Sequence, residues 1–130
     1  MILARTRGQK YQITDHFWLH EFDCQCEYEE CTSTLYSLEL VKLVEKLRES
    51  CGNKPFKVLS GYRCPRHNTD TEGSSKKSQH IVGLACDLVI PKSLGIEEFH
   101  YRASNIGFSM ILDYATRGFM HIDIRDGNFI

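Results

Sequence analysis

Two short stretches of the chain carry side chains that could hold a metal ion or move a proton. The first is Phe119-Met-His-Ile-Asp-Ile-Arg125. Successive side chains of a strand point to opposite faces. His121, Asp123 and Arg125 would then share one face, and Met120, Ile122 and Ile124 the other, which should be core. An imidazole, a carboxylate and a guanidinium in a row can form a metal or acid–base site. The same pattern also suits the solvated outer face of an edge hairpin. The second stretch is Ser78-Gln-His-Ile-Val-Gly-Leu-Ala-Cys-Asp87. Asp87 lies inside the apolar run Leu84–Ile90, where a carboxylate is costly unless it is paired, hydrogen-bonded or bound to metal. Gly83 and Ala85 permit close backbone approach. Hydrogen bonds from the preceding loop could satisfy Asp87 alone. Taken together, however, His80, Asp87 and His121 are two imidazoles and a carboxylate, a normal protein ligand set for catalytic zinc that leaves one position for water.

The six cysteines form a separate problem. Cys24, Cys26 and Cys31 cluster, and Cys64 and His67 lie further along. Thiolates and imidazole are the usual ligands of structural zinc, but C-x-C-x4-C is not a standard knuckle. Free thiols, disulfides and a second zinc site all remain open. Cys51 and Cys86 sit on apolar faces and read as small buried hydrophobes; nothing marks Cys86 as a nucleophile. His16, His20 and His100 carry no strong motif. Gly73–Ser78 lacks the G-x-x-x-x-G-K order of a phosphate loop and reads as a mobile loop. Phe17, Trp18 and Phe22 read as core packing of an N-terminal arm, with a substrate groove as the alternative.

These residues need a scaffold. The 130 residues suit one domain, with an N-terminal arm over about residues 1–35. Leu40, Val41, Val44, Leu47 and Cys51 recur at helical spacing, so Ser37 to about Cys51 is expected to be a helix, with Ser37 as N-cap and Gly52 as its stop. Phe56–Ser60 and Leu84–Ile90 read as strands, and Ser93–Asn105 as a second helix. Phe108–Tyr114 and Phe119–Arg125 read as strands joined by a turn at Ala115–Gly118. Gly61–Gln79 reads as one long polar loop, functional or disordered. Strands gathered late in the chain favour an α+β domain with a small, mainly antiparallel sheet flanked by helices.

Composition narrows the partners. Sixteen basic and seventeen acidic residues leave a net charge of −1, and the signs balance in both halves. No basic excess marks a nucleic-acid surface. The apolar runs fall far short of the ~20 residues of a membrane span. Arg5, Arg7 and Lys10 are followed by no apolar segment, so no signal peptide is expected.

Four ordered pieces resemble the zinc D-Ala-D-Ala carboxypeptidase family of peptidoglycan peptidases. They are His20-Glu21-Phe22, similar to that family's S-E-F near the start; Ser60-Gly61-Tyr62-Arg63 followed by His67-Asn68; S-x-H-x-x-G-x-A-x-D at Ser78–Asp87; and H-x-D followed by Arg at His121–Arg125. The superfamily includes vancomycin-resistance dipeptidases, phage L-alanyl-D-glutamate endolysins and the Hedgehog signalling domain. The nearest branch resembles the carboxypeptidase-like domains of phage and bacterial murein hydrolases. The resemblance implies a zinc ion held by His80, Asp87 and His121, and a Hedgehog/DD-peptidase-like fold. It implies that Arg63 stabilises substrate or the developing oxyanion, that Ser78 orients the site or substrate, and that Asp123 is a general base or a partner behind the metal; Asp123 as a ligand stays open. The dipeptidase and endolysin branches carry an acidic residue three positions before the last histidine, where this chain has Gly118. The implied activity is cleavage of peptidoglycan peptide bonds, as a carboxypeptidase or murein endopeptidase, by zinc-activated water. The partners are stem peptides of the cell wall, the expected state is a monomer, and phage-type release or a periplasmic or extracellular location would fit. The alternative is a catalytically inactive zinc-bearing binding or structural module of the same fold.

Overall fold

The computed structural model describes residues 1–71 and 78–125, so most of the Gly73–Ser78 stretch lies outside the described residues. The elements follow as β1 (Ile2–Thr6), a 3-10 turn (Leu19–Phe22), β2 (Ser33–Ser37), α1 (Leu38–Ser50), β3 (Val58–Ser60), α2 (Pro65–Asp70), a 3-10 turn (Gln79–Val82), β4 (Ala85–Val89), α3 (Gly95–Ser104), β5 (Met110–Tyr114), a 3-10 turn (Ala115–Arg117) and β6 (Phe119–Asp123). β1 and β2 form a two-stranded antiparallel sheet, and the others form a four-stranded antiparallel sheet in the order β3-β4-β6-β5. This is the α+β architecture expected from the sequence. Among the described residues, no helix is long and apolar enough to cross a membrane.

The core occupies one face of the larger sheet. Cys86 and Leu88 of β4, and Met120 and Ile122 of β6, are fully buried against Leu40, Val41, Val44 and Leu47 of α1 and Phe99 and Ala103 of α3. Burying each large aliphatic or aromatic side chain in that layer is worth about 1.5–3 kcal/mol. Ser37 caps α1 by accepting a hydrogen bond from the Leu40 amide at 3.2 Å. Phe17 and Phe22 are buried, and ring contacts run from Phe22 through Phe17 and Phe56 to Phe99 at centroid separations of 6.3, 5.8 and 5.4 Å. The core reading of these two phenylalanines therefore holds, while Trp18 is half-buried. Cys51 and Cys86 are buried in the same core.

Two elements differ from expectation. Gly61–Gln79 is not one loop: Pro65–Asp70 is helical, with Pro65 at the first position and the Cys64 sulfur accepting from the His67 amide. Proline suits that position because its missing N–H would have no partner there and its fixed φ is already helical. The N-terminal arm also contains β1, which pairs along its whole length with β2. That ladder is made by the main chain, and the β1 side chains alternate only between exposed and half-buried, so no hydrophobic period announces it.

Candidate metal centre

Strand alternation places the site on the face of the sheet opposite α1 and α3. With Cys86 and Leu88 committed to the core, Asp87 must point the other way. The β4–β6 register pairs Asp87 with His121 and Ala85 with Asp123, directly across the ladder. β3 brings Ser60 beside Asp87 from the other side. The chain then turns at Gly61 and Tyr62 into Arg63.

His80 arrives from the 3-10 turn. Ser78 caps this turn, its hydroxyl accepting from the His80 amide at 3.2 Å. Gly83 ends it at φ +76°, a conformation that disfavours side chains. A Cβ at Gly83 would stand 2.7 Å from the Leu35 carbonyl, so the turn can sit against β2 only because residue 83 has none. Gly61 is similarly crowded, with a Cβ position 2.6 Å from Phe22 Cα. Main-chain bonds finish the seam: the Arg63 amide donates to the His80 carbonyl at 3.1 Å, and the Tyr62 amide to the Phe22 carbonyl at 2.9 Å.

The result is a group of three: His80, Asp87 and His121 each offer a ligand atom, all within 4.8 Å of one another. His80 is buried, and its Nδ1 donates to the Gly61 carbonyl at 2.7 Å. That carbonyl can only accept, so in a neutral ring Nε2 carries a lone pair. Nε2 has no hydrogen-bond partner among the described residues, yet it faces Asp87 Oδ1 at 3.3 Å. A lone pair aimed at a buried carboxylate is unfavourable until a cation, either a proton or a metal ion, lies between them. The donor set therefore fits zinc: two imidazoles, one carboxylate and a side-chain arrangement that needs positive charge.

His121 Nδ1 lies 3.0 Å from the same Asp87 oxygen, and its Nε2 lies 2.8 Å from Asp123 Oδ2. Asp123 is thus on the far side of the ring from Asp87. It is fully buried and clamped by Arg125, whose Nε and Nη2 donate to its two oxygens at 3.0 and 2.6 Å. Burial alone would raise the pKa of Asp123, but the hydrogen bonds from His121 and Arg125 outweigh it and hold the group at about 2. Burial likewise opposes charge on Asp87, yet His121 and His80 hold it well below the usual carboxylate range. Desolvation would lower the pKa of His121, whereas Asp123 and Asp87 together raise it to about 9.

Arg63 flanks this group. Burial lowers its pKa, while the charges of Asp87 and Cys24 pull the other way, so the guanidinium lies in the field of both. Its Nε is buried with no hydrogen-bond partner among the described residues. All six residues singled out from the sequence therefore belong to one neighbourhood: His80, Asp87 and His121 at its centre, Asp123 behind His121, Ser78 beneath His80 and Arg63 at its side. Gly118 is in the exposed β5–β6 turn at φ +78°. Two of the four remaining histidines are paired elsewhere: His16 contacts Glu45 of α1 at 2.6 Å, and His100 contacts Asp113 at 2.7 Å.

One contributor escaped the sequence reading, and the role of another was only outlined by it. The Gly61 carbonyl, which sets the His80 tautomer, has no side-chain signal at all. Arg125 was visible on the same strand face as Asp123, but its two-pronged hold on that carboxylate is seen only in the structure.

A sequence model of the family described as Peptidase M15 matches residues 15–123. No curated protein sequence matches the chain. The matched span runs from the N-terminal aromatic segment to Asp123 and includes Arg63, Ser78, His80, Asp87, His121 and Asp123, with Arg125 just beyond it. The chain belongs to the M15 family of zinc peptidases.

Proposed function

We propose that the chain is a zinc-dependent peptidase acting on the stem peptides of bacterial peptidoglycan, as a carboxypeptidase or a murein endopeptidase. The observation that carries this reading is the buried His80 Nε2 facing Asp87 Oδ1 at 3.3 Å, with His121 completing the group, in a chain of this family. His80, Asp87 and His121 would hold the zinc. When bound, the ion would supply a Lewis acid and a water acidic enough to attack a carbonyl at neutral pH.

The protein's own residues do the rest. Gly61 fixes the His80 tautomer so that Nε2 faces the site. Asp123 accepts from His121 Nε2 and leaves Nδ1 free to face Asp87, the arrangement in which an outer carboxylate orients a metal-binding imidazole. Asp123 is therefore a positioning residue in this reading, and its separation from Asp87 by the whole imidazole ring argues against its being a ligand. Arg63, half-buried beside Asp87, would bind the substrate carboxylate or the oxygen on which charge develops, a contribution of roughly 3–4 kcal/mol in comparable sites. Ser78 holds the His80 turn.

One observation favours the inactive-module reading. Gly118 puts no carboxylate where other branches of the superfamily have one, and its turn is exposed. Incubation of purified protein with murein sacculi, with and without a chelator, separates the two. Chelator-sensitive release of peptides supports the peptidase, and mass spectrometry of the products identifies the bond. Absence of release from zinc-loaded, folded protein would leave only the module.

A further inference from the structure

The other dense group of metal-binding side chains is Cys24, Cys26, Cys31 and Cys64. We propose that these four thiolates bind a second zinc ion, whose role is structural. Their sulfurs all lie within 4.8 Å of one another, and the four residues are only 2, 7, 8 and 7 % exposed. Cys26 Sγ and Cys64 Sγ are 3.8 Å apart. Four sulfurs around zinc at about 2.3 Å form a tetrahedron with edges of about 3.8 Å, whereas a disulfide needs about 2.05 Å.

The surroundings suit thiolates. The Cys64 amide donates to Cys24 Sγ at 3.3 Å, the His67 amide to Cys64 Sγ at 3.4 Å, and Arg7 Nη1 to Cys26 Sγ at 3.4 Å. Arg7 also donates to the main-chain carbonyls of Cys31 and Cys26. A tetrathiolate zinc centre carries net negative charge, and a guanidinium beside it with amide donors to its sulfurs offsets the cost of burying that charge. Four buried protein ligands leave no open position, which is the hallmark of a structural rather than a catalytic zinc.

The site also explains how an irregular segment is held. Residues 23–32 contain no helix or strand. Their ordering costs roughly 1–2 kcal/mol per residue in backbone entropy, and the buried hydrophobic cluster they belong to among the described residues is small: these cysteines with Tyr28 and Tyr62. Metal binding replaces four thiol protons with one zinc ion and ties this segment to Cys64, far along the chain. Cys64 follows Arg63 and caps α2, so the same staple fixes the main chain on one side of Arg63 while the Arg63 amide bond to His80 fixes the other.

The inference is independent of the peptidase reading, and zinc stoichiometry tests it. Wild-type protein purified under reducing conditions with zinc should carry two ions per chain, and His80→Ala one. Cobalt exchanged into His80→Ala should give the intense near-ultraviolet thiolate-to-metal absorption of a sulfur site, and the four thiols should resist alkylation until the metal is removed. Cys31→Ser should lose one equivalent; should it not fold, the cobalt spectrum of His80→Ala still decides. A folded His80→Ala protein with no metal, with freely alkylated cysteines or with a non-reduced mass showing disulfides among them, would overturn the proposal.

Discussion

His80, Asp87 and His121 are delivered by a capped turn and two paired strands, whereas Cys24, Cys26, Cys31 and Cys64 come from an irregular segment and one helix start. The first group is positioned by main-chain structure: ladder register sets Asp87 against His121, and Gly61 sets His80. Its third member, His121, stays partly exposed, and Arg63 stands beside it. The second group is buried at all four cysteines and has little secondary structure of its own to hold it. A preorganised, partly open set suits chemistry, because its geometry costs nothing to assemble when substrate comes. A closed set in an irregular segment suits stability, because the metal supplies the order. Between them lies Arg63, within the field of both Asp87 and Cys24.

The sharpest way to break this division is His80→Ala. It should remove one zinc and reduce peptide release to background, while folding and the cysteine-bound metal survive. Activity assays with metal analysis on the same sample check it; a metal-free His80→Ala protein that still cleaves would end the peptidase mechanism. A chelator titration comes next in size. The His/Asp site should lose its ion first, so activity should vanish at chelator concentrations that leave the far-ultraviolet circular dichroism unchanged. Stronger chelation should then melt the Cys24–Cys31 segment. Simultaneous loss of activity and structure would mean that the two regions are not distinct.

Asp123→Asn probes the seam between positioning and chemistry. The amide can no longer hold His121 Nε2–H as a carboxylate does, and it leaves Arg125 without its charged partner. Changes of this kind behind a metal ligand typically cost 10–100-fold in affinity or activity. Zinc affinity should fall together with activity. A collapse of kcat at unchanged zinc affinity would instead assign Asp123 a direct role in proton transfer.

How much of this was legible depended on range. The helix at α1 and the strands β4 and β6 follow from local periodicity, and the burial of Asp87 follows from its place in an apolar run. The ordered motifs then brought His80, Asp87 and His121 together without any geometry. What could not be read was whatever depends on main chain meeting main chain at a distance. The β1–β2 ladder, the Gly61 carbonyl beneath His80 and the convergence of Cys64 on Cys24 all join residues far apart in sequence, with no side-chain pattern that betrays the pairing. Pro65 shows the opposite failure: a local signal was present, but proline marks loops and first helical turns alike, and here it opens α2.

Gly83→Ala should act on one region and spare the other. The new Cβ would meet the Leu35 backbone at 2.7 Å in a left-handed conformation. Strain of that kind costs about 1–3 kcal/mol, and it should displace the His80 turn from β2. Thermal melts should show the loss, and activity should fall with it, while the cysteine-bound zinc stays at one equivalent.

The smallest effect expected is that of Ser78→Ala. If Ser78 serves only to cap the turn, removing its hydroxyl leaves the His80 amide without its 3.2 Å acceptor and costs about 0.5–2 kcal/mol. For a turn of four residues already anchored by the Gly61 and Arg63 bonds, the low end of that range is the expected outcome. Zinc content should be unchanged, KM should be unchanged, and threonine, which offers the same oxygen, should restore stability. If Ser78 instead touches substrate, the melt should hardly move while KM rises, and threonine should restore little because its added methyl would enter the substrate's space. The split between melting temperature and KM therefore decides whether Ser78 belongs to the scaffold that His80 stands on or to the chemistry that His80 serves.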